Sequence, residues 1–314
     1  MPVGVKTCLL FLTSLLAAAG LSACGARAEP QGELEQPYPV TVRGVGEQPA
    51  VLRGKPERIV ALDPGSAELV MALGARDRLA GVPAGIEKGD GPRKAPPEAV
   101  QVVSPNLRMK VDEIIKLEPD LLVATPSTDQ LDLAKVQRET GATLYVQPSS
   151  SIEDILRATL ELGFLVGEPV EARTVASRIR EEVAAVEERI AETPVPRTFV
   201  DTGFFVTVPM RSLLGDLLTR AHGESVAGET PGAEPFPLSR LRRLDPEIYL
   251  ATSDSRVTLK SLRRDPRTNK LTAVEQGRVR VLPSDLVQRA GPYVAQALER
   301  VAKALHPDAF QDSR

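Results

Sequence analysis

Tryptophan is absent from the 314 residues, and His, Cys, Tyr and Phe are scarce at 2, 2, 4 and 7. Each shortage excludes something. Two cysteines cannot build a disulfide scaffold, and with only His222 and His306 the chain falls short of the nitrogen and sulfur ligands that a structural zinc or a bare transition metal needs. An excess of basic charge is missing too. The 39 Lys and Arg face 42 Asp and Glu for a net charge of −3, and with few rings to stack on bases this excludes a nucleic-acid binding module. The sequence has no Gly-x-Ser-x-Gly elbow and no Gly-x-x-x-x-Gly-Lys loop, and His222 has no nucleophile beside it, so nothing points to an enzyme. What is abundant is turn-forming residues, 27 Pro and 23 Gly, in a chain long enough for two ordinary domains.

Residues 1–23 carry one charged side chain, Lys6, ahead of an apolar run from Leu9 to Ala19 and then small residues. This is the layout of a secretory signal, and the run to Ala23 is shorter than the roughly 20 residues that span a bilayer. Leu21-Ser22-Ala23-Cys24 resembles the lipobox of bacterial lipoproteins. That resemblance implies cleavage before Cys24 and a diacylglycerol on its sulfur, whose thiolate is the natural nucleophile. The expected product is an exported lipoprotein, anchored to a membrane through Cys24 and facing the periplasm or the cell exterior. Residues 24–55 show no clear periodicity and read as a tether, with a short strand at Val40 to Val45. The fold proper is expected to begin near Pro56.

One internal match is informative. The stretch from Val111 to Thr125 parallels Leu238 to Thr252 without a gap, at an offset of 127 residues. Each copy reads as a short helix, an acid-Pro-acid stop (Glu118-Pro119-Asp120, Asp245-Pro246-Glu247) and an apolar run suited to a buried parallel strand. Two unrelated units sharing helix-stop chemistry would look similar. Helical and strand-like segments also alternate around each copy, which argues for an α/β protein of two lobes with parallel sheets. Between the copies, Val175, Ile179, Val183, Val186 and Ile190 recur at helical spacing from Pro169 to Glu192. A single long helix is therefore expected to cross from one lobe to the other. The resulting division is a signal over 1–23, a tether over 24–55, a first lobe over 56–167, a connecting helix over 168–193 and a second lobe over 194–314.

The stretches Pro56 to Leu62, Glu68 to Ala75, Arg78 to Val82 and Asp112 to Val123, followed by Thr140-Gly141-Ala142, Leu162-Gly163, Ala273 to Val279 and Gly291-Pro292, together with the lipobox, resemble the substrate-binding proteins of ABC importers for iron-siderophores, haem and cobalamin. The resemblance spans most of residues 56–308. It implies two Rossmann-like lobes joined by one long helix, a ligand held in the cleft between them, and delivery to a permease and its ATPase by a monomeric protein. No built-in cofactor is expected; the ligand itself is a ferric siderophore, haem or cobalamin. Family members place an acid on each lobe to pair with the permease. Here those places are Asp112 and Ser239, the latter followed by Arg240, Arg242 and Arg243. A serine cannot make the charge-assisted bond, which leaves open a second function class, a binding lipoprotein uncoupled from transport that serves as scavenger, sensor or interaction module.

In doubly wound lobes the ligand lies beyond the carboxyl ends of the strands. Applied to the strand reading, this points to Gly65, Ser66, Thr125 and Ser127 on the first lobe and Phe205, Arg211, Arg256, Arg289 and Tyr293 on the second, with Phe204 beside them. Gly65 and Ser66 open a helix, whose N–H groups suit an anion, although Ser66 also suits an ordinary helix cap. The three arginines suit the carboxylate or phenolate groups of an iron chelate. Tyr293 suits haem iron, a flat ligand or simple packing, whereas Tyr145 and Tyr249 fall inside apolar strands and belong to the core. The shortage of aromatics leans toward an anionic siderophore over cobalamin and haem.

Overall fold

The computed structural model describes residues 37–88, 94–95, 98–104, 108–230, 232 and 234–311. The expected signal, Cys24 and the start of the tether lie outside the described residues. In the first lobe the apolar runs form a five-stranded parallel sheet with the spatial order Val100–Val103, Leu79–Pro83, Ile59–Ala61, Leu121–Ala124, Thr143–Val146. Numbered along the chain, that order is 3-2-1-4-5, the doubly wound arrangement. Both faces are buried, as continuous apolar strands require. Ile59 and Ala61 point into one core with the helices Pro64–Ala72 and Ile152–Val166, and Val60 and Leu62 into another with Val111–Lys116 and Gln130–Thr140.

The second lobe has a four-stranded parallel sheet in the order Glu224–Ser225, Arg197–Asp201, Ile248–Thr252, Val279–Leu282. Phe199 and Tyr249 lie on one face among Leu241 and Leu262, and Val200 and Leu250 on the other among Leu217 and Leu298. The two copies of the repeat occupy the same place in their sheets, because Leu121–Ala124 and Ile248–Thr252 each pair with the first strand of their lobe. The correspondence reaches the stops. Glu118 and Asp245 both turn the chain at positive φ, 45° and 43°. Asp120 then accepts hydrogen bonds from the Glu57 and Arg58 N–H groups at 2.6 and 3.1 Å, and Glu247 accepts one from the Arg197 N–H at 2.8 Å. Arg58 and Arg197 donate in turn to the backbone carbonyls of Glu118 and Leu244. Each lobe thus fastens its first and repeat strands with an arginine and an acid.

The connecting helix is Pro169–Ile190, whose 22 residues span about 33 Å at 1.5 Å per residue. Its five expected apolar positions are all buried. Ala172 near its start packs in the first-lobe core, while Val175 to Ile190 pack in the second-lobe core.

The fold begins earlier than expected. Val40–Val42 and Ala50–Leu52 pair antiparallel, and Val40, Val42, Ala50 and Leu52 are buried in the first-lobe core. Tyr38 donates its hydroxyl to the Leu165 carbonyl at 2.9 Å, and the Val45 N–H bonds the Val146 carbonyl at 2.9 Å. The segment from Tyr38 to Leu52 is therefore part of the lobe rather than tether, because alternate apolar residues of a short hairpin cover a sheet face that would otherwise meet water.

His306 is buried at the end of the helix Val294–Leu305, with Nε2 2.8 Å from the Ala221 carbonyl. Burial pushes its pKa below the ordinary 6.5, the Ala221 hydrogen bond opposes the shift, and His222 nearby adds to it. In the window below 6.5 the unfolded chain binds more protons than the folded one, so the contribution is intact above pH 6.5 and is lost as pH falls through the folded value. His306→Gln, which keeps an N–H donor, is expected to flatten the loss of stability between pH 7.5 and 5, measured by urea unfolding at each pH.

Candidate functional site

In each lobe an aspartate at the end of the first strand or just beyond it organises the loop that follows. Asp63 caps the helix Pro64–Ala72, its Oδ1 accepting from the Gly65 and Ser66 N–H groups at 2.8 and 3.3 Å. Burial pushes its carboxyl up, offset in part by those two N–H groups and by Arg289. The helix starts at Pro64 and its cap is Asp63, so the two N–H groups expected to meet an anion are occupied.

Gly65, Ser66 and Arg289 are brought together in a joint between the lobes. A Cβ on Gly65 would stand 2.4 Å from the Ala290 carbonyl oxygen, and one on Gly291 would stand 3.0 Å from the Gly65 Cα. The Ser66 hydroxyl donates to Gln147 Oε1 at 2.9 Å, and Gln147 Nε2 donates to the Ala290 carbonyl at 2.9 Å. Arg289 Nη1 lies 2.6 Å from Glu68 Oε1, the side chains being 17% and 1% exposed. Arg289 is thereby committed to a buried carboxylate rather than a ligand. Glu68 carried a signal of its own: it is the single charge in the run Ala67-Glu68-Leu69-Val70-Met71, and a carboxylate among apolar neighbours needs a cation.

On the second lobe, Asp201 Oδ1 accepts from the Gly203 and Phe205 N–H groups at 2.7 and 3.1 Å, while Oδ2 accepts the Tyr249 hydroxyl at 2.6 Å. Burial raises the Asp201 pKa, opposed first by the Tyr249 hydrogen bond, and burial with the facing carboxylate raises that of Tyr249. Tyr145 is likewise buried, its hydroxyl donating to Glu161 at 2.8 Å. The loop held by Asp201 turns twice in the left-handed region, at Phe204 (φ 54°) and Phe205 (φ 63°). This separates the two rings. Phe205 packs against the core, with the Arg267 guanidinium 5.8 Å from its centre, and Phe204 stands 89% exposed. The ring available to a ligand is therefore that of Phe204.

Arg211 precedes the capped helix Leu213–Arg220, and Arg256 follows the turn Ser253–Ser255 at positive φ. Both are exposed, and neither guanidinium has a hydrogen-bond or ion-pair partner among the described residues. The loop before Arg256 is tied to the next strand's loop by Ser253 and Ser284, whose hydroxyls are 3.0 Å apart. On the first lobe, Thr125 is buried with its hydroxyl 2.9 Å from that of the exposed Ser127. Tyr293 is half-buried at the head of the helix Val294–Leu305. The carboxyl edges of the two sheets thus offer one exposed ring, two unpaired guanidiniums and a hydroxyl pair. Among the described residues no group of three or more His, Cys, Asp or Glu is placed to hold a metal ion.

Known proteins share this two-lobe fold. Over 311 residues the chain is 24% identical to the ABC transporter substrate-binding lipoprotein YvrC of Bacillus subtilis strain 168, covering 95% of this chain and 96% of that one. It is 25% identical over 284 residues to the cobalamin-binding protein of Halobacterium salinarum strain R1, covering 86% of this chain and 74% of that one. Among solved structures, the periplasmic haem-binding protein RhuT of Roseiflexus sp. RS-1 superimposes with a TM-score of 0.68 at 21% identity, covering 82% of this chain and 100% of its own. A family model for periplasmic binding proteins matches residues 59–286, which run from the first strand of the first lobe into the short helix Ser284–Val287 after the last strand of the second. The chain is a member of the periplasmic binding protein family.

Proposed function

We propose that the chain is the substrate-binding component of an ABC importer, held to a membrane by lipid on Cys24, and that it carries a corrinoid of the cobalamin class in the cleft between its lobes. The observation that carries the ligand class is Phe204, an exposed ring on a loop clamped by Asp201 at the carboxyl edge of the second sheet. Such a ring covers the apolar face of a large macrocycle, and Arg211 and Arg256 supply unpaired cations for its polar substituents. The names of the curated relatives support the same class, because those from Halobacterium and Vibrio are cobalamin- or vitamin B12-binding proteins. This reverses the lean toward a siderophore, which rested on how few rings the chain has rather than on where one of them stands.

Isothermal titration with cyanocobalamin, haemin and a ferric catecholate tests the reading. A one-to-one complex with cyanocobalamin is expected, and Phe204→Ala is expected to weaken it about tenfold, the equivalent of about 1.4 kcal/mol. Binding of the ferric catecholate alone would return the assignment to siderophores, and no binding of any of the three would overturn the ligand reading. A second reading, a binding lipoprotein uncoupled from transport, is favoured by Ser239 and its arginine neighbours. Ligand binding without stimulation of a permease ATPase would select it.

A further inference from the structure

An apolar groove of about 570 Å³ runs between the helix Ile152–Val166 and the connecting helix Pro169–Ile190. On the first of these helices Ile152, Leu156, Leu160 and Phe164 recur every four residues, a spacing that sets them on one face. Leu156 and Leu160 are only half-buried, and Phe164 is 39% exposed. Val183 and Ala184 stand on the opposite wall. The stripe thus meets water although a second helix lies beside it.

The cause is that the two helices diverge. They pack tightly at Gly163, where a Cβ would stand 2.2 Å from the Ala172 Cβ. At the other end Arg220, from the helix Leu213–Arg220 of the second lobe, stands between them, with Nη1 2.7 Å from Glu187 Oε1 and Nη2 bonded to Glu153. This guanidinium holds the ends apart, and Ala184 is too short to fill the wedge that results.

One charge at the groove is uncommitted. Arg220 is shared by Glu153, Glu187 and Asp216, Glu161 accepts the Tyr145 hydroxyl, and Arg157 pairs with Asp154 at 3.0 Å. Arg180 lines the groove exposed, and its guanidinium has no hydrogen-bond or ion-pair partner among the described residues. Apolar walls with one free guanidinium are complementary to a molecule with an apolar body and a single negative charge.

The dimensions narrow the choice. From Ile152 to Phe164 the stripe rises about 18 Å, so the groove has a mean cross-section of about 32 Å². An α-helix with its side chains, about 10–12 Å across, occupies about 80–110 Å². A partner helix is therefore too thick to enter, whereas one extended hydrocarbon chain fits lengthwise.

We propose that this groove is a second ligand site, for a single-chain anionic amphiphile, and that its occupant is a long-chain carboxylate whose head bonds Arg180. The site is independent of what the cleft holds.

Because the chain has no Trp, Phe164→Trp places a lone indole in the groove as a local reporter. The full chain with this substitution is titrated with palmitate below its micelle concentration. A saturable blue shift of the emission is expected, complete at one palmitate per chain. Adding Arg180→Glu is expected to weaken binding at least about tenfold, and adding Ala184→Phe, which fills the wedge, to remove the shift; each is compared at an unchanged melting temperature. No shift with palmitate, or a shift that both added substitutions leave intact, overturns the proposal. So does an equal response to hexadecanol, which lacks the charge, or tighter binding of palmitoyl lysophosphatidylglycerol, which would make the head a phosphate. A blue shift that grows with protein concentration without palmitate gives the groove to a second copy of the chain and likewise overturns it.

Discussion

Arg289→Met is expected to destabilise the protein by about 3 kcal/mol, the lower end of what removing one partner of a buried ion pair produces. The reason lies in the partner. Glu68 is 1% exposed, and the substitution takes away the guanidinium 2.6 Å from its buried carboxylate. At roughly 2–4 °C per kcal/mol for a chain of this size, the melting temperature should fall by about 6–12 °C. The double variant Glu68→Met with Arg289→Met should recover a large part of that loss, since methionines of similar length replace both charges by apolar contact. A thermal-denaturation cycle over wild type, two singles and the double measures the coupling. If Arg289→Met melts with the wild type, the pair is not what joins the lobes.

Gly65→Ala is expected to have an effect of similar size by a different route, about 1–3 kcal/mol from overpacking. The added Cβ falls 2.4 Å from the Ala290 oxygen and 2.6 Å from its carbonyl carbon. Both belong to backbone, so no side chain can swing aside and the lobes themselves must part. Parting them also lengthens the bond from Gln147 to the Ala290 carbonyl, on which Ser66 depends. Gly54→Ala is the control, at an exposed position with nothing within 4 Å of the new Cβ and an ordinary φ; it should stay within about 0.5 kcal/mol of wild type. Small-angle scattering gives a second readout, an increased radius for Gly65→Ala and none for Gly54→Ala.

These two positions mark where sequence reasoning stops. Periodicity found what is local: the apolar stripe from Val175 to Ile190, the alternation of strands and helices, and Tyr145 and Tyr249 inside their strands. The repeat was legible because its two copies align without a gap. The arginine clamps belong to the same duplication yet escaped, because Arg58 lies 62 residues before Asp120 and Arg197 only 50 before Glu247, a difference of 12 that breaks the register. The first lobe has the extra strand Val100–Val103 in that interval. The joint was out of reach for a plainer reason: Glu68 and Arg289 are 221 residues apart, and no spacing rule connects them. Each of Gly65, Ser66 and Arg289 does lie at a carboxyl edge, as the rule for ligand sites requires, but at such an edge the other lobe competes with the ligand for the same groups. The strand expected within Val40 to Val45 is present as Val40–Val42, but its partner Ala50–Leu52 was missed because a strand of three residues among Pro and Gly leaves too little pattern to read.

The joint also bears on how fast a ligand is captured. Backbone in direct contact at Gly65, Ala290 and Gly291, with a buried ion pair beside it, leaves the lobes no wide-open state of comparable free energy to sample. On the proposed ligand reading, capture is then not gated by a large closing motion, and its rate is expected to follow diffusion and the fields of Arg211 and Arg256 at the rim. Affinity differences among related ligands should accordingly appear in how long each one stays.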